Sequence, residues 1–291
     1  MKAWRIWLMA ARPRTLPAAV APVLVGTALA IHDDALRALA FLAALVGAVL
    51  IQVGTNLSND YSDARRGADT EDRLGPVRVT AGGLVPPRQV LVATYVTFGL
   101  AVLVGMYLVY VAGPELLLVG AASILAGVLY TGGPRPYGYE GLGEVFVFTF
   151  FGIVAVTGTY YVQAEELPGE AFVLAVPVGL LAAAILVVNN VRDMDTDRRA
   201  GKRTLAVRLG RERTRSLYAA MLAAAFAILV PLALAIGPWV LIAAAASPLA
   251  VRLAQTVSTH TDGPTLNQAL GRTGMLQLVF CVLLSAGILL S

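Results

Sequence analysis

Along this chain the apolar residues run in long unbroken stretches, and the polar residues gather where the stretches end. The runs fall at roughly 15–31, 37–58, 89–111, 114–131, 142–163, 171–190, 214–236, 238–257 and 272–290. Each is near the roughly 20 residues a helix needs to cross hydrocarbon. None alternates with the period of two that a barrel strand shows, so helices must do the spanning. The pattern predicts an all-α, polytopic membrane bundle of about nine transmembrane helices around a central cavity, with polar loops capping one face. Ala28-Leu29-Ala30 after a basic start mimics the cleavage site of a leader. Pro17 and Pro22 interrupt that run, which reads instead as the first span. Residues 1–11, with Trp4 and Trp7, read as a helix lying in the membrane interface.

Composition agrees with this class. Hydrophobic residues make up 58% of the chain and charged residues 14%, with a mean hydropathy of +0.74. A soluble domain carries about 25% charged residues. All but Arg37 of the 22 Lys and Arg precede the first span, fall on the loops of that same side or, like Arg215, Arg252 and Arg272, flank those loops from the neighbouring spans. The opposite loops hold Asp33, Asp34, Glu115, Glu165, Glu166 and Glu170. The positive-inside rule then predicts a multi-pass protein of the cell membrane, with a cytoplasmic N-terminus and an external C-terminus. Anionic lipid at the cytoplasmic face accounts for the net charge of +4 and excludes any need for nucleic acid. Cys281 is alone, so no disulfide framework exists. His32 and His260 read as loop residues.

Two short stretches carry the candidate chemistry. They are Asn56-Leu-Ser-Asn59-Asp60-Tyr-Ser-Asp63 and Asn189-Asn190-Val-Arg192-Asp193-Met-Asp195-Thr-Asp197, each at the end of an apolar run. On a helix, Asn56, Asp60 and Asp63 share a face, as do Asn189, Asp193 and Asp197. Like charges one turn apart repel, so a helix gains nothing by stacking them unless a cation arrives. Oxygen ligands favour a hard cation, and Mg²⁺ typically takes one or two carboxylates plus substrate phosphates. Arg65 and Arg66 flank the first stretch; Arg192, Lys202 and Arg203 flank the second. Carboxylates, a metal and cations together bind a polyanion such as a diphosphate. Both stretches lead into basic residues and a Gly, which reads as a weak internal duplication pairing Asp60 with Asp193. The whole of 1–291 then forms one domain, with pseudo-repeated motifs near 56–69 and 189–204. Segments 59–88 and 191–213 are long for membrane connections and read as partly helical caps. A rigid turn, Thr131-Gly-Gly-Pro-Arg135-Pro-Tyr137-Gly-Tyr139-Glu140-Gly-Leu-Gly-Glu144, follows the fourth run. Tyr130, Tyr137 and Tyr139 there offer ring faces that could shield a carbocation.

These residues resemble the UbiA superfamily of intramembrane prenyltransferases. The likeness rests on Asn56-x₃-Asp60-x₂-Asp63 with Asp69, on Asp193-x₃-Asp197-x₃-Gly201-Lys202-Arg-Thr204, and on the Tyr-Thr-Gly-Gly-Pro turn. Further stretches are similar to the 1,4-dihydroxy-2-naphthoate polyprenyltransferase branch of menaquinone biosynthesis. They are Arg12-Pro-Arg14-Thr-Leu-Pro-Ala-Ala, Gly67-Ala-Asp69-Thr-Glu-Asp-Arg73-Leu-Gly-Pro-Val-Arg78-Val-Thr and Gly201-Lys-Arg-Thr-Leu-Ala-Val-Arg208-Leu-Gly. The resemblance implies that Asp60, Asp63, Asp193 and Asp197, aided by Asn56, hold Mg²⁺ on a polyprenyl diphosphate. Lys202 and nearby Arg would neutralise the leaving group, and an aromatic acceptor would attack the allylic cation. The implied substrate-binding set is Asn56, Asn59, Arg65, Asp69, Arg73, Arg78, Tyr130, Tyr137, Asn189 and Arg192. Arg73, Arg78 or Arg135 could pair with an acceptor carboxylate. A cavity open to membrane lipid would take the prenyl tail. Other acceptors, 4-hydroxybenzoate, homogentisate or a tetrapyrrole, stay open. A secondary transporter is the reading from another class, but its carboxylates would sit near the bilayer midplane.

Overall fold

A computed structural model describes residues 2–68 and 74–291, and every described element is helical or a turn. Helix α1 (Ala3–Ala11) exposes Trp4 and Trp7 and buries Ala10. Arg12, in the left-handed region at φ 53°, ends it, and Pro17 opens α2 (Pro17–His32) at 54° to it. Proline fits the first helical turn, where its missing N–H costs nothing, so the bend falls at this sequence. There follow α3 (Ala38–Arg65), α4 (Pro87–Ala112) and α5 (Glu115–Leu129). Next come α6 (Gly143–Ala164), α7 (Gly169–Arg199), the short α8 (Leu205–Leu209), α9 (Arg211–Ala235), α10 (Pro238–Thr259) and α11 (Gly263–Leu290).

Seven of these helices are long and apolar enough to cross a membrane, and the bent α1–α2 pair makes an eighth. The ninth expected span, 114–131, is the 15-residue α5. At 1.5 Å per residue it covers about 22 Å, less than the hydrocarbon thickness. Gly113, at φ 117°, and Pro114 start it late, and the Tyr130–Pro134 turn folds back early. That early turn brings Tyr130 and Thr131 down into the bundle.

Helix α7 is the centre of the packing. Leu174, Val178, Leu181, Ala184, Val187 and Val191 are fully buried along it, in one core shared with α2, α6, α9, α10 and α11. Small residues allow the closest approaches, as is usual between helices in lipid. A Cβ on Gly152 would lie 2.6 Å from the Cα of Gly179, so α6 and α7 touch backbone to backbone there. Within α6, Phe148–Val154 winds as a π-helix. Such segments are frequent at functional sites, and this one faces the main cavity with Phe150, Phe151 and Val154. On the lipid side, Leu103, Tyr110, Leu118 and Leu234 are exposed, as expected for a surface solvated by acyl chains.

Candidate active site

The apolar runs of α3 and α7 do not stop where hydropathy falls. Both helices continue through their polar stretches, α3 to Arg65 and α7 to Arg199, so both motifs are fully helical. The two ends then close in the same way. Gly67 and Gly201 are left-handed, at φ 65° and 75°. The N–H of Ala68 donates to the carbonyl of Asp63 at 3.0 Å, and that of Lys202 to the carbonyl of Asp197 at 2.9 Å. Gly67 donates to Ala64, and Gly201 to Arg198. These are matching Schellman caps, and glycine is needed at each because only it adopts the left-handed region without strain.

Aligning the caps sets the register between the halves. Asp63 matches Asp197, Asn59 matches Asp193, and Asn56 matches Asn190. All six line a cavity of about 570 Å³. The expected pairing of Asp60 with Asp193 is one residue out. Asp60 matches Met194 instead, and neither lines the cavity. A one-residue step turns a helical side chain by about 100°, which is enough to move it to another face. Asp60 points to the loop before α4, where its two oxygens accept the N–H groups of Val79 (3.1 Å) and Thr80 (2.9 Å). It is 1% exposed, and it holds the segment that carries Arg78 to the cavity wall.

The remaining carboxylates already have cations beside them. Lys202 Nζ lies 3.6 Å from Asp63 Oδ2, 4.0 Å from Asp197 Oδ1 and 4.7 Å from the centre of the Tyr139 ring. Tyr139 donates its hydroxyl to Asp63 Oδ1 at 2.6 Å. Arg192 forks onto Asp193, with Nε to Oδ1 at 2.8 Å and Nη2 to Oδ2 at 2.5 Å. Arg192 also donates to Asn189 and Asn267. The repulsion expected within each motif is thus relieved by the chain's own cations, a buried Lys bridging the halves and a buried Arg within one of them. A buried carboxylate without such partners would carry a large desolvation cost.

The asparagines are oriented as firmly. Asn56 donates Nδ2 to the Ala11 carbonyl (3.0 Å) and to Thr15 Oγ1 (3.2 Å). Asn190 donates Nδ2 to Glu144 Oε1 at 2.7 Å. An acceptor partner fixes which end of an amide is which. Asn59 Oδ1 accepts from Thr131 Oγ1 at 3.0 Å, which ties α3 to the turn after α5. That turn is also clamped from outside. Arg66 donates to the carbonyls of Thr131 and Gly133, and the N–H of Arg203 donates to the Tyr139 carbonyl at 2.8 Å. Arg135 and Arg208 both pair with Glu140 and hold its carboxyl below the usual range.

Of the residues expected at the site, Asn56, Asn59, Asp63, Arg78, Tyr130, Tyr137, Asn189, Asp193, Asp197 and Lys202 line the cavity. Tyr137 is stacked on Phe146 with centroids 3.9 Å apart. Arg65 is not brought in; it is exposed and donates to Tyr61 on its own helix. Arg192 acts behind Asp193, and Arg135 faces outward, with its side chain 81% exposed. Asp69 and Arg73 lie outside the described residues. Residues not assigned from sequence are Asn190, Glu144, Arg12 and Thr15. Asn190 and Glu144 stood inside the motifs, but nothing local pairs two residues on different helices.

Among the described residues, no three carboxylates, histidines or cysteines converge to hold a metal alone. The site instead offers separated carboxylates on facing helices, with asparagine oxygens beside them. That donor set fits Mg²⁺ completed by substrate phosphate rather than caged by protein. Beyond this polar end, the cavity runs between α3, α4, α5 and α6 along Ala44, Ile51, Met106, Val109 and Leu116. One cavity therefore joins a charged mouth to an apolar channel.

Residues 19–286 match the model of the UbiA prenyltransferase family. Among curated proteins, the chain is 45% identical over 282 residues to the 1,4-dihydroxy-2-naphthoate octaprenyltransferase of Mycobacterium tuberculosis, covering 97% of this chain and 96% of the relative. It is 40% identical to the enzyme of that name from Escherichia coli, covering 98% and 95%. In fold it is similar to a UbiA homolog from Archaeoglobus fulgidus bound to DMAPP and Mg²⁺, with TM-score 0.69, 15% identity and 97% and 98% coverage. A UbiA homolog from Aeropyrum pernix aligns with TM-score 0.71 at 16% identity, covering 94% and 97%.

Proposed function

The chain belongs to the UbiA prenyltransferase family, and from that premise we propose that it transfers a polyprenyl group from its diphosphate to 1,4-dihydroxy-2-naphthoate, giving a demethylmenaquinone-type product. The observation that carries this reading is the two-ended cavity. Its carboxylates and Lys202 suit a diphosphate head, and its apolar channel suits a prenyl tail that continues into lipid. A transporter would hold its carboxylates near mid-membrane. Here they sit at the capped ends of α3 and α7.

Asp63, Asp193 and Asp197 are the residues that would hold Mg²⁺, with Asn56, Asn59 and Asn190 presenting oxygen beside them. The bound metal would supply charge neutralisation to the departing diphosphate. Lys202, already poised between Asp63 and Asp197, turns its ammonium to the phosphate oxygens and stabilises the charge that develops as the allylic C–O bond breaks. The bond's electron pair leaves on the diphosphate. Tyr130, Tyr137 and Tyr139 place ring faces along the path of the allylic cation and keep water from it. An electron-rich ring carbon of the acceptor then forms the new C–C bond, and the acceptor's carboxyl group leaves as CO₂, which restores the aromatic ring as the demethylated naphthoquinol. Arg78, held at the wall through Asp60 and the 79–80 turn, is placed to pair with an acceptor carboxylate.

The same reading takes the chain as one domain of two pseudo-repeated halves, with the N-terminus and the acidic mouth cytoplasmic and the C-terminus external. It rests on the matching caps and on the segregation of Lys and Arg. A cysteine placed at position 165 and labelled only from the cytoplasm would overturn the orientation. The decisive assay supplies membranes with Mg²⁺, a polyprenyl diphosphate and either dihydroxynaphthoate or 4-hydroxybenzoate. Prenylated naphthoate is the expected product. Turnover of 4-hydroxybenzoate alone would refute the acceptor and leave the family's chemistry intact.

A further inference from the structure

We propose that a second site, a groove between α10 and α11, holds the phosphodiester headgroup of an anionic phospholipid. The groove has a volume of about 300 Å³ and is lined by Leu249, Arg252, Leu253, Thr256, Arg272 and Met275. It shares no residue with the main cavity. The two helices are antiparallel, joined by the short turn at His260–Asp262. That turn belongs to the same face as the acidic motifs. Arg215 donates to the His260 carbonyl, Asn267 Nδ2 to the Leu74 carbonyl at 3.1 Å, and Arg211 pairs with Asp195 at the end of α7.

Depth makes the arginines unusual. Arg252 lies about 10 Å before the end of α10 and Arg272 about 14 Å past the start of α11, at 1.5 Å per residue. The hairpin therefore brings both to one level, beneath the polar tip. Their neighbours there, Val251 and Met275, are 56% and 51% exposed, which marks a lipid-facing surface. Neither guanidinium has a hydrogen-bond or ion-pair partner among the described residues, and no carboxylate lines the groove. Two like charges facing the bilayer rim without a counter-ion are costly, and such residues are found paired. No described residue pairs them, and we place the partner outside the chain. A phosphodiester meets a guanidinium fork with two parallel hydrogen bonds. Its acyl chains would then descend over Leu249 and Met275, which a soluble anion would leave bare. Basic pockets between membrane helices on the cytoplasmic side take anionic headgroups for these reasons.

The test uses the full chain in nanodiscs of phosphatidylcholine doped with phosphatidylglycerol. Lipid retained on gentle release is counted by native mass spectrometry. The wild type should keep phosphatidylglycerol in preference to phosphatidylcholine, and its melting temperature should rise with the phosphatidylglycerol fraction. In R252Q/R272Q, retention of phosphatidylglycerol should fall at least about ten-fold, with the thermal rise gone and phosphatidylcholine retention unchanged. The control R198Q/R213Q removes two exposed arginines of the same face outside the groove and should behave as wild type. An unchanged R252Q/R272Q, or an equal loss in the control, overturns the proposal. So does millimolar inorganic phosphate that reproduces the thermal rise in phosphatidylcholine alone, since the groove would then hold a free anion. The wild-type lipid count and thermal rise do not depend on either variant folding.

Discussion

The ends of α3 and α7 share a cap and a cavity but differ in who holds the carboxylates. In α3 the cavity row is Asn56, Asn59 and Asp63; in α7 it is Asn190, Asp193 and Asp197. The first row has one carboxylate and the second has two. The first half also keeps a carboxylate off the row, Asp60, bound by two backbone amides. The second half sets Arg192 behind Asp193. Backbone amides cannot leave without unfolding a turn, whereas a guanidinium can shift when a stronger cation comes. The comparison separates structural from chemical acid. Asp60 fastens the 79–80 turn, whereas Asp63, Asp193 and Asp197 are held by side-chain cations that a metal would displace. Lys202, with only Ala68 at the matching place in the first half, makes the site asymmetric and joins the two rows.

Removing divalent metal should have the largest effect, because both rows would hold it together. With a chelator present, turnover should stop, and added Mg²⁺ should restore it. Mg²⁺ binding followed by calorimetry should tighten when prenyl diphosphate is present, since phosphate completes its coordination. Full turnover in chelator would leave the oxygen rows without a purpose.

Next come the carboxylates themselves. Asp63→Asn and Asp197→Asn, at matching positions, should each lower kcat/KM by about 10²–10³, the scale for losing one preorganised electrostatic partner. Their melting temperatures should hold or rise, since each variant removes charge from a crowded site. Asp60→Asn should show the reverse pattern. It retains one acceptor for two buried N–H groups, so it should lose about 1–3 kcal/mol of stability. Its folded fraction should keep activity within about ten-fold of wild type, because no cavity ligand is lost. If Asp60→Asn matches Asp63→Asn in both readouts, the register drawn from the caps is wrong.

Lys202→Met should come third. Charge-assisted hydrogen bonds are worth about 1.5–3 kcal/mol, so KM for prenyl diphosphate should rise about ten- to hundred-fold. KM for the aromatic acceptor should stay nearly constant, since Lys202 lies between the acidic rows. A rise confined to the acceptor would reverse that assignment.

Much of this was legible from sequence, and the failures have physical causes. Runs of apolar residues located the nine candidate spans because hydrocarbon thickness is a hard length constraint. They placed the ends of α3 and α7 too early, since a helix that leaves the membrane stays helical when it meets a cap. Asp-rich stretches located the mouth. Periodicity alone paired Asp60 with Asp193, because positions three and four residues apart both fall on one side of a helix. The left-handed glycines at 67 and 201 fix the register; the sequence shows a Gly after each stretch, but only their backbone conformation makes them equivalent caps. Basic residues were misjudged most. Arg65 and Arg192 sit beside carboxylates in sequence, but a neighbour in sequence on a helix points about 100° away. Arg192 reaches Asp193 only by folding behind it, and Arg65 never reaches the mouth.

The smallest effect concerns how the two matching asparagines are aimed. Asn56 is held through its NH₂ by a backbone carbonyl and a hydroxyl, and Asn190 through its NH₂ by the Glu144 carboxylate. Glu144 Oε1 accepts that N–H, so Asn190 turns its carbonyl oxygen the other way, towards the cavity it lines. Glu144 is 3% exposed, and its Oε2 has no partner among the described residues. A buried carboxylate kept at that cost, on a helix other than the one it serves, is placed for orientation rather than for stability. Glu144→Leu removes the acceptor and lets the amide flip, so a donor would face the oxygen-lined mouth in half of its orientations. Loss of one neutral hydrogen bond is worth about 1 kcal/mol, so kcat/KM should fall by about five- to ten-fold. Glu144→Gln can still offer a carbonyl to Asn190 and should recover most of the activity. The Leu variant should be no less stable than wild type, since it replaces a poorly satisfied buried acid with an apolar side chain. Equal activity of the Leu and Gln variants would show that Asn190 does not depend on Glu144 for its aim, and only the Asn56 half of the parallel would stand.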